Sequence, residues 1–264
     1  MVTDALLTLA TDLVRRAGAL ILAGRGSAAE DVTTKSTPTD VVTAMDRAAE
    51  RLIVEALRVA RPDDGVLGEE GGETRGSGRV RWLLDPIDGT VNYLYGLPAY
   101  AVSLGAEVDG VMAVGAVYNP VMDELWTAAR GGGARMNGRR LAGSAVVALD
   151  QALVATGFGY GSARRRAQAA VVAGLLPEVR DIRRFGAASL DLCSAATGRV
   201  DAYFERGLEP WDLAAGGLVA REAGLQVTGL RGQPAGHDMV LAAPPALHAA
   251  LHDRLVELAA DTGP

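Results

Sequence analysis

The sequence predicts an α/β protein with helices and sheets stacked in alternating layers, and three patterns carry that expectation. Two stretches, 3–24 and roughly 40–60, repeat apolar residues at helical spacing. The middle, from 99 to 136, alternates in strand fashion, with Asp109-Gly110 and Asn137-Gly138 as hairpin turns. From 149 onwards strand-like and helix-like runs take turns. No Pro-rich or polar linker intervenes. The expectation is therefore two tightly packed halves, an α+β half over 1–148 and an α/β half over 149–264, forming one catalytic unit.

Composition narrows the classes. A chain of 264 residues that is 49% hydrophobic can bury a sizeable core. A net charge of −6 argues against nucleic-acid or anionic-membrane partners, which want a basic face. An anionic substrate would then need local positive charge, which bound metal supplies. The single cysteine, Cys193, excludes an internal disulfide; it lies in an apolar run and reads as a buried, inert thiol. Asp4 and Asp12 interrupt the opening stretch, so no signal peptide is expected. No apolar run approaches the ~20 residues of a membrane helix. The expected location is the cytoplasm.

In chain order, Leu6, Leu9, Leu13, Ala17 and Leu20 form the apolar side of the first helix, which Gly24 and Gly26 end. Lys35 to Asp40 reads as a polar turn, and Lys35 is the only lysine among 26 cationic residues, which suggests a place for a compact ammonium. Thr39 or Asp40 is expected to cap a helix reaching about Ala60, with Asp46 on its first turns. Val66-Leu67 is a brief strand followed by Glu69 and Glu70 and a Gly-rich loop, 71–78. Val80–Leu84 is a strand that carries Asp85 out of the core, and Pro86 should end it. Two adjacent strands could thus deliver Glu69 and Asp85 to one sheet edge, where α/β proteins place ligands. Glu70 is the weaker partner, since successive strand-end residues point apart.

Residues 85–90, Asp-Pro-Ile-Asp-Gly-Thr, concentrate the chemistry. Asp85, Asp88 and the Ile87 carbonyl are oxygen donors suited to hard cations, and the Gly89 and Thr90 amides could take a phosphate beside them. The second half reads as strand 153–156, helix 163–176, strand 182–183, helix 188–197, strand 200–205, helix 213–223, strand 239–242 and helix 244–260. Asp212 is placed to cap the helix that follows it. Arg164-Arg165-Arg166 reads as a solvated helix end, and Arg183-Arg184 as surface in preference to ligand contact.

Asp85-Pro86-Ile87-Asp88-Gly89-Thr90, Gly68-Glu69-Glu70-Gly71 and Trp211-Asp212-Leu213-Ala214-Ala215-Gly216 resemble, in order and spacing, the motifs of the inositol monophosphatase family. Lys35–Asp40 and Thr43–Asp46 resemble its N-terminal segment, so the likeness spans nearly the whole chain and is nearest to the bacterial branch. The resemblance implies the layered fold of inositol monophosphatases and fructose-1,6-bisphosphatases and a Mg²⁺-dependent, lithium-sensitive phosphomonoesterase with two or three ions. It implies that Glu69, Asp85 and the Ile87 carbonyl hold one ion, and Asp85, Asp88 and Asp212 a second. Thr90 and Asp46, with Glu69, would orient the attacking water. Asp88, Gly89, Thr90, Gly186, Ala188, Glu205 and Asp212 would surround the substrate, a small phosphorylated polyol such as myo-inositol 1-phosphate. Ala187 departs from the Ser or Thr often found there, and no Asp marks the histidinol-phosphate branch close to this point, which favours inositol. Alternatives are a broader sugar-phosphate phosphatase, including fructose 1,6-bisphosphate, and a non-catalytic partner of the transcription machinery. A homodimer is also implied.

Overall fold

Helix α1 (Val2–Gly24) turns Leu6, Ala10, Leu13, Val14, Ala17 and Ile21 inward; Leu6, Leu13 and Ala17 belong to the expected stripe, whereas Leu9 and Leu20 are only half-buried and the buried side runs through Val14 and Ile21 instead. It packs beside α2 (Ala44–Ala60), which buries Ala49, Ile53 and Leu57. The computed structural model describes residues 2–27, 32–34 and 41–263. Lys35, Thr39 and Asp40 lie outside the described residues, and α2 is capped instead by Thr43. The Thr43 side chain accepts the Met45 and Asp46 amides, while the Asp46 side chain returns a bond to the Thr43 amide, a reciprocal capping box.

A two-stranded ribbon, β1 (Val32–Thr34) and β2 (Val41–Thr43), precedes α2. The main sheet holds β3 (Gly65–Gly68), β4 (Gly72–Thr74), β5 (Val80–Asp88), β6 (Ala101–Val108), β7 (Val111–Asn119), β8 (Glu124–Ala129), β9 (Gly133–Met136) and β10 (Arg139–Arg140). Its order is β10-β9-β8-β7-β6-β5-β3-β4, antiparallel except where β3 runs parallel to β5. Strand β5 does not end at Pro86. It continues to Asp88 through a bulge: Asp85 pairs with Ser103 and Asp88 with Ala101, leaving one extra residue on β5. The proline, which has no N–H to give, sits in that irregularity, so the ladder resumes beyond it.

The second sheet contains β11 (Leu153–Thr156), β12 (Asp181–Arg183), β13 (Ala202–Glu205), β14 (Gln226–Thr228) and β15 (Val240–Ala243), in the order β12-β11-β13-β15-β14. Five helices accompany the two sheets: α3 (Thr90–Tyr95), α4 (Ser162–Leu175), α5 (Ala188–Thr197), α6 (Pro210–Glu222) and α7 (Pro245–Glu257). Burial sorts them into layers. On β6, Val102, Leu104 and Ala106 face α1 and α2, while Ala101 joins a core made with α5, α6 and inner residues of the second sheet, Tyr203, Val240 and Ala242. Val154, Phe204 and Leu241 face outward onto α4 and α7. The result is helix, sheet, helix, sheet, helix, the alternation expected from sequence. No helix among the described residues is long and apolar enough to cross a membrane.

Candidate active site

Strands β3 and β5 run side by side with Gly68 opposite Leu84, and the Glu69 amide continues the pairing by donating to the Leu84 carbonyl at 3.1 Å. The next residues along each strand, Glu69 and Asp85, therefore emerge at one edge. They line a cavity of ≈ 640 Å³ together with Ile87 and Asp88 at the end of β5 and Gly89 and Thr90 at the start of α3. Gly186, Ala188, Glu205 and Asp212 complete it from the second half of the chain. Every site residue named from sequence lines this cavity except Asp46, which stands behind Thr90.

Electrostatics mark the acids as a set. Asp85 is 2% exposed, and burial first, then Glu69, Asp88 and Asp212, hold it well above the usual carboxylate range. Asp212 is pushed the same way, by burial and then by Asp88. It does not cap α6 as expected; Glu209 takes the cap, Pro210 the first helical position, and Asp212 the third, where its Oδ2 accepts the Glu209 amide at 2.8 Å. The capping bond uses one oxygen and leaves the other for the cavity. Asp88 is pushed up to about 6 by burial, against the pull of three hydrogen bonds. Its Oδ1 accepts the Ala188 amide at 3.1 Å, and its Oδ2 accepts the Ser189 amide at 2.7 Å and the Ser189 hydroxyl. The acid thereby ties the bulge of β5 to the first turn of α5. Ser189 was missed in the sequence, where it lies inside an apolar run.

Thr90 and Asp46, expected from sequence to act together, meet at the cavity's edge. Thr90 Oγ1 lies 3.2 Å from Asp46 Oδ1 and 3.0 Å from the Ile87 carbonyl, so its single proton has two acceptors and its lone pairs remain for the cavity. Gly89, at φ +89°, turns the chain from β5 into α3 where a side chain would strain the backbone. Glu205 ends β13 with Oε2 accepting the Tyr203 hydroxyl at 2.7 Å. Burial pushes it up to about 7, opposed by Tyr203 and by Arg184. Its carboxylate lies against Gly157, where any Cβ would overlap it. Arg164, Arg184 and His237 contribute to the remaining wall, so the two basic clusters read as surface each send one guanidinium to the cavity. Their signal, one Arg of a run, was too common to read.

The donors are all hard oxygens, wholly or partly buried, and the acids among them repel one another, which is the chemistry a divalent cation relieves. Among the described residues no three acid, His or Cys side chains form a ready-made ligand cluster. The carboxylates stand as separate donors round the cavity, and the Ile87 carbonyl and water would complete a Mg²⁺ shell, since that ion keeps several waters. Cys193 is buried and inert, its thiol pushed far up by burial.

Comparison with known proteins decides the lineage: the model of the inositol monophosphatase family matches residues 3–262. The chain belongs to the inositol monophosphatase family. It is 48% identical over 231 residues to the inositol-1-monophosphatase of Mycobacterium leprae, covering 83% of this chain and 79% of that protein. It is 41% identical over 239 residues to the Nus factor SuhB of Escherichia coli, covering 89% and 88%. The crystal structure of the suppressor protein suhB from Bartonella henselae superimposes with a TM-score of 0.90 at 36% identity, over 95% of this chain and 98% of that one. The layered inositol monophosphatase fold predicted from sequence is thus the fold this chain has.

Proposed function

We propose that the protein hydrolyses myo-inositol 1-phosphate to inositol and phosphate with Mg²⁺ as its cofactor. The observation that carries this is the convergence of Glu69, Asp85, Asp88 and Asp212, with the Ile87 carbonyl and Thr90, on one cavity. Bound Mg²⁺, two or three ions, would activate water and stabilise charge on phosphate and leaving group. Glu69, Asp85 and Ile87 form one donor set, and Asp85, Asp88 and Asp212 the other. Thr90, oriented by Asp46, accepts a hydrogen bond from the attacking water and aligns it with phosphorus. The Gly89 and Thr90 amides hold non-bridging oxygens. Glu205 and the main chain at Gly186 and Ala188 receive the ring hydroxyls, for which carboxylates are good acceptors. The first 148 residues supply most metal donors and the remaining 116 complete the site. Li⁺ should inhibit by entering the weaker, Asp212-containing set, so added substrate should not overcome it.

The test is phosphate release from inositol 1-phosphate, fructose 1,6-bisphosphate, histidinol phosphate and 3′-phosphoadenosine 5′-phosphate, each with Mg²⁺ and with EDTA. Inositol 1-phosphate should lead the panel and EDTA should abolish release. A protein that releases phosphate equally with EDTA would overturn the metal reading. The name of the E. coli relative, a Nus factor, favours a second reading in which this chain also docks on the transcription machinery. Pull-down with RNA polymerase components, using an Asp88→Asn protein alongside the wild type, separates docking from catalysis. Cytoplasmic location and a homodimer belong to the same proposal, the latter read by light scattering.

A further inference from the structure

Helix α2 carries two buried acids, Asp46 and Glu50, and only Asp46 enters the reading above. Four residues apart, they lie on one face of the helix, where two like charges destabilise it unless other groups hold them. Asp46 reaches Thr90. Glu50 reaches the turn after β3 that carries Glu69. Its Oε2 accepts the Glu70 amide at 3.0 Å. Its carboxylate lies so tightly in the turn that a Cβ on either Gly68 or Gly71 would come within 2.6 Å of it. A carboxylate only 6% exposed persists where hydrogen bonds satisfy it, and one of its donors is main chain of that turn. The two glycines of Gly68-Glu69-Glu70-Gly71 thus have a steric reason: they admit the acid.

We infer that Glu50 is a positioning residue, acting through the 68–71 turn to set Glu69 against Asp85. With Asp46 it makes α2 the common reference for Glu69 on one side and Thr90 on the other. The inference rests on the roles given to Glu69 and Thr90 above. Glu50 does not line the cavity, so its removal should be felt in metal affinity and turnover and not in substrate affinity.

The experiment compares Glu50→Ala, Glu50→Gln and Gly71→Ala with the wild type. Gly71→Ala leaves the acid in the chain but drives a Cβ into its place in the turn, at a glycine without positive φ. Mn²⁺ affinity is read by electron paramagnetic resonance, amide hydrogen exchange is read at 69–71, and kcat and KM are measured with inositol 1-phosphate. Glu50→Ala and Gly71→Ala should weaken Mn²⁺ binding about tenfold or more, the usual scale for a group that orients a metal ligand. They should speed exchange at Glu70 and lower kcat with KM within about twofold. Glu50→Gln keeps an oxygen for the Glu70 N–H and should recover most of the affinity. Unchanged Mn²⁺ binding and exchange in Gly71→Ala, or in a folded Glu50→Ala, would overturn the inference, as would a Glu50→Gln protein no better than Glu50→Ala. A wild type that binds no Mn²⁺ would fell the metal reading itself, and the exchange rate at Glu70 would then decide the turn-ordering claim alone.

Discussion

Asp88 ties β5 to α5 and is proposed to serve the chemistry as well, and its geometry separates the two jobs. Its oxygens accept two amides and a hydroxyl from α5, yet a carboxylate offers about four lone-pair sites, so capacity remains for an ion or a substrate hydroxyl. Asp88→Asn keeps the shape, removes the charge, and turns an NH₂ toward one of those donors. Turnover should fall ~10²-fold or more, as for other preorganised charge-stabilising groups, with the circular-dichroism spectrum unchanged. Near-normal kcat at saturating Mg²⁺ would remove Asp88 from the chemistry. Glu205 predicts a different signature. It is held by Tyr203 and not by the metal-facing acids, so Glu205→Gln should raise KM for inositol 1-phosphate while sparing an aryl phosphate. The expected cost is ~1–3 kcal/mol for a charge-assisted bond. Equal losses on both substrates would sink its recognition role.

At the scale of the element, α2 shows how a cap can serve a site. Thr43 closes the capping box, and the same Asp46 that completes it also meets Thr90. Thr43→Ala should cost ~1 kcal/mol in urea unfolding, the usual value for a lost cap, and should lower kcat as well because Asp46 loses its anchor. Thr43→Ser should restore both; stability lost without any change in rate would show that the cap and the site are independent. The cap also marks where the sequence was ambiguous. Thr39, Asp40 and Thr43 are all plausible caps, and only the reciprocal bond from Asp46 selects among them. Helix α5 was legible to the residue, Ala188–Thr197, because its apolar run starts and stops cleanly before Gly198. The short strands β4 and β14 were not read: Gly72-Glu73-Thr74 buries no residue that could mark a face, and three residues are too few to show a period. Pro86 misled for a physical reason, since a bulge gives a proline a place inside a strand that a regular ladder denies it. Site acids at strand ends could be read, because motif and topology agree there. Ser189 and Arg184 could not, because their roles arise only when α5 docks on β5.

For the whole molecule, the proposed ligand set ties metal binding to stability through that docking. The proposed donors come from the end of β3 and from β5 on one side and from α6 on the other, so folding itself brings like charges together out of water. Asp88 is pushed up to about 6 and Glu205 to about 7, from ordinary values of 3.8 and 4.5. The sign follows from which state holds the protons. Between roughly pH 4 and 7 the folded protein keeps protons that the unfolded chain has released, so the stability linked to these groups is full below the ordinary values and is lost as pH rises through 6 to 7. Each tenfold change in proton affinity corresponds to ~1.4 kcal/mol. In EDTA, then, the melting temperature should fall as pH is raised from 5 to 8. Mg²⁺ competes with the proton for the Asp88 oxygens and binds the ionised form, so its stabilising effect should grow over that interval. At a hundredfold excess over its dissociation constant the gain is ~2.7 kcal/mol, or several degrees at ~2–4 °C per kcal/mol for a chain of this size. Thermal melts at pH 5, 6, 7 and 8, with EDTA and with Mg²⁺, measure the gap directly, and K⁺ at matched ionic strength controls for screening. A gap that stays constant across the series would mean that Asp88 neither holds the ion nor releases a proton to it.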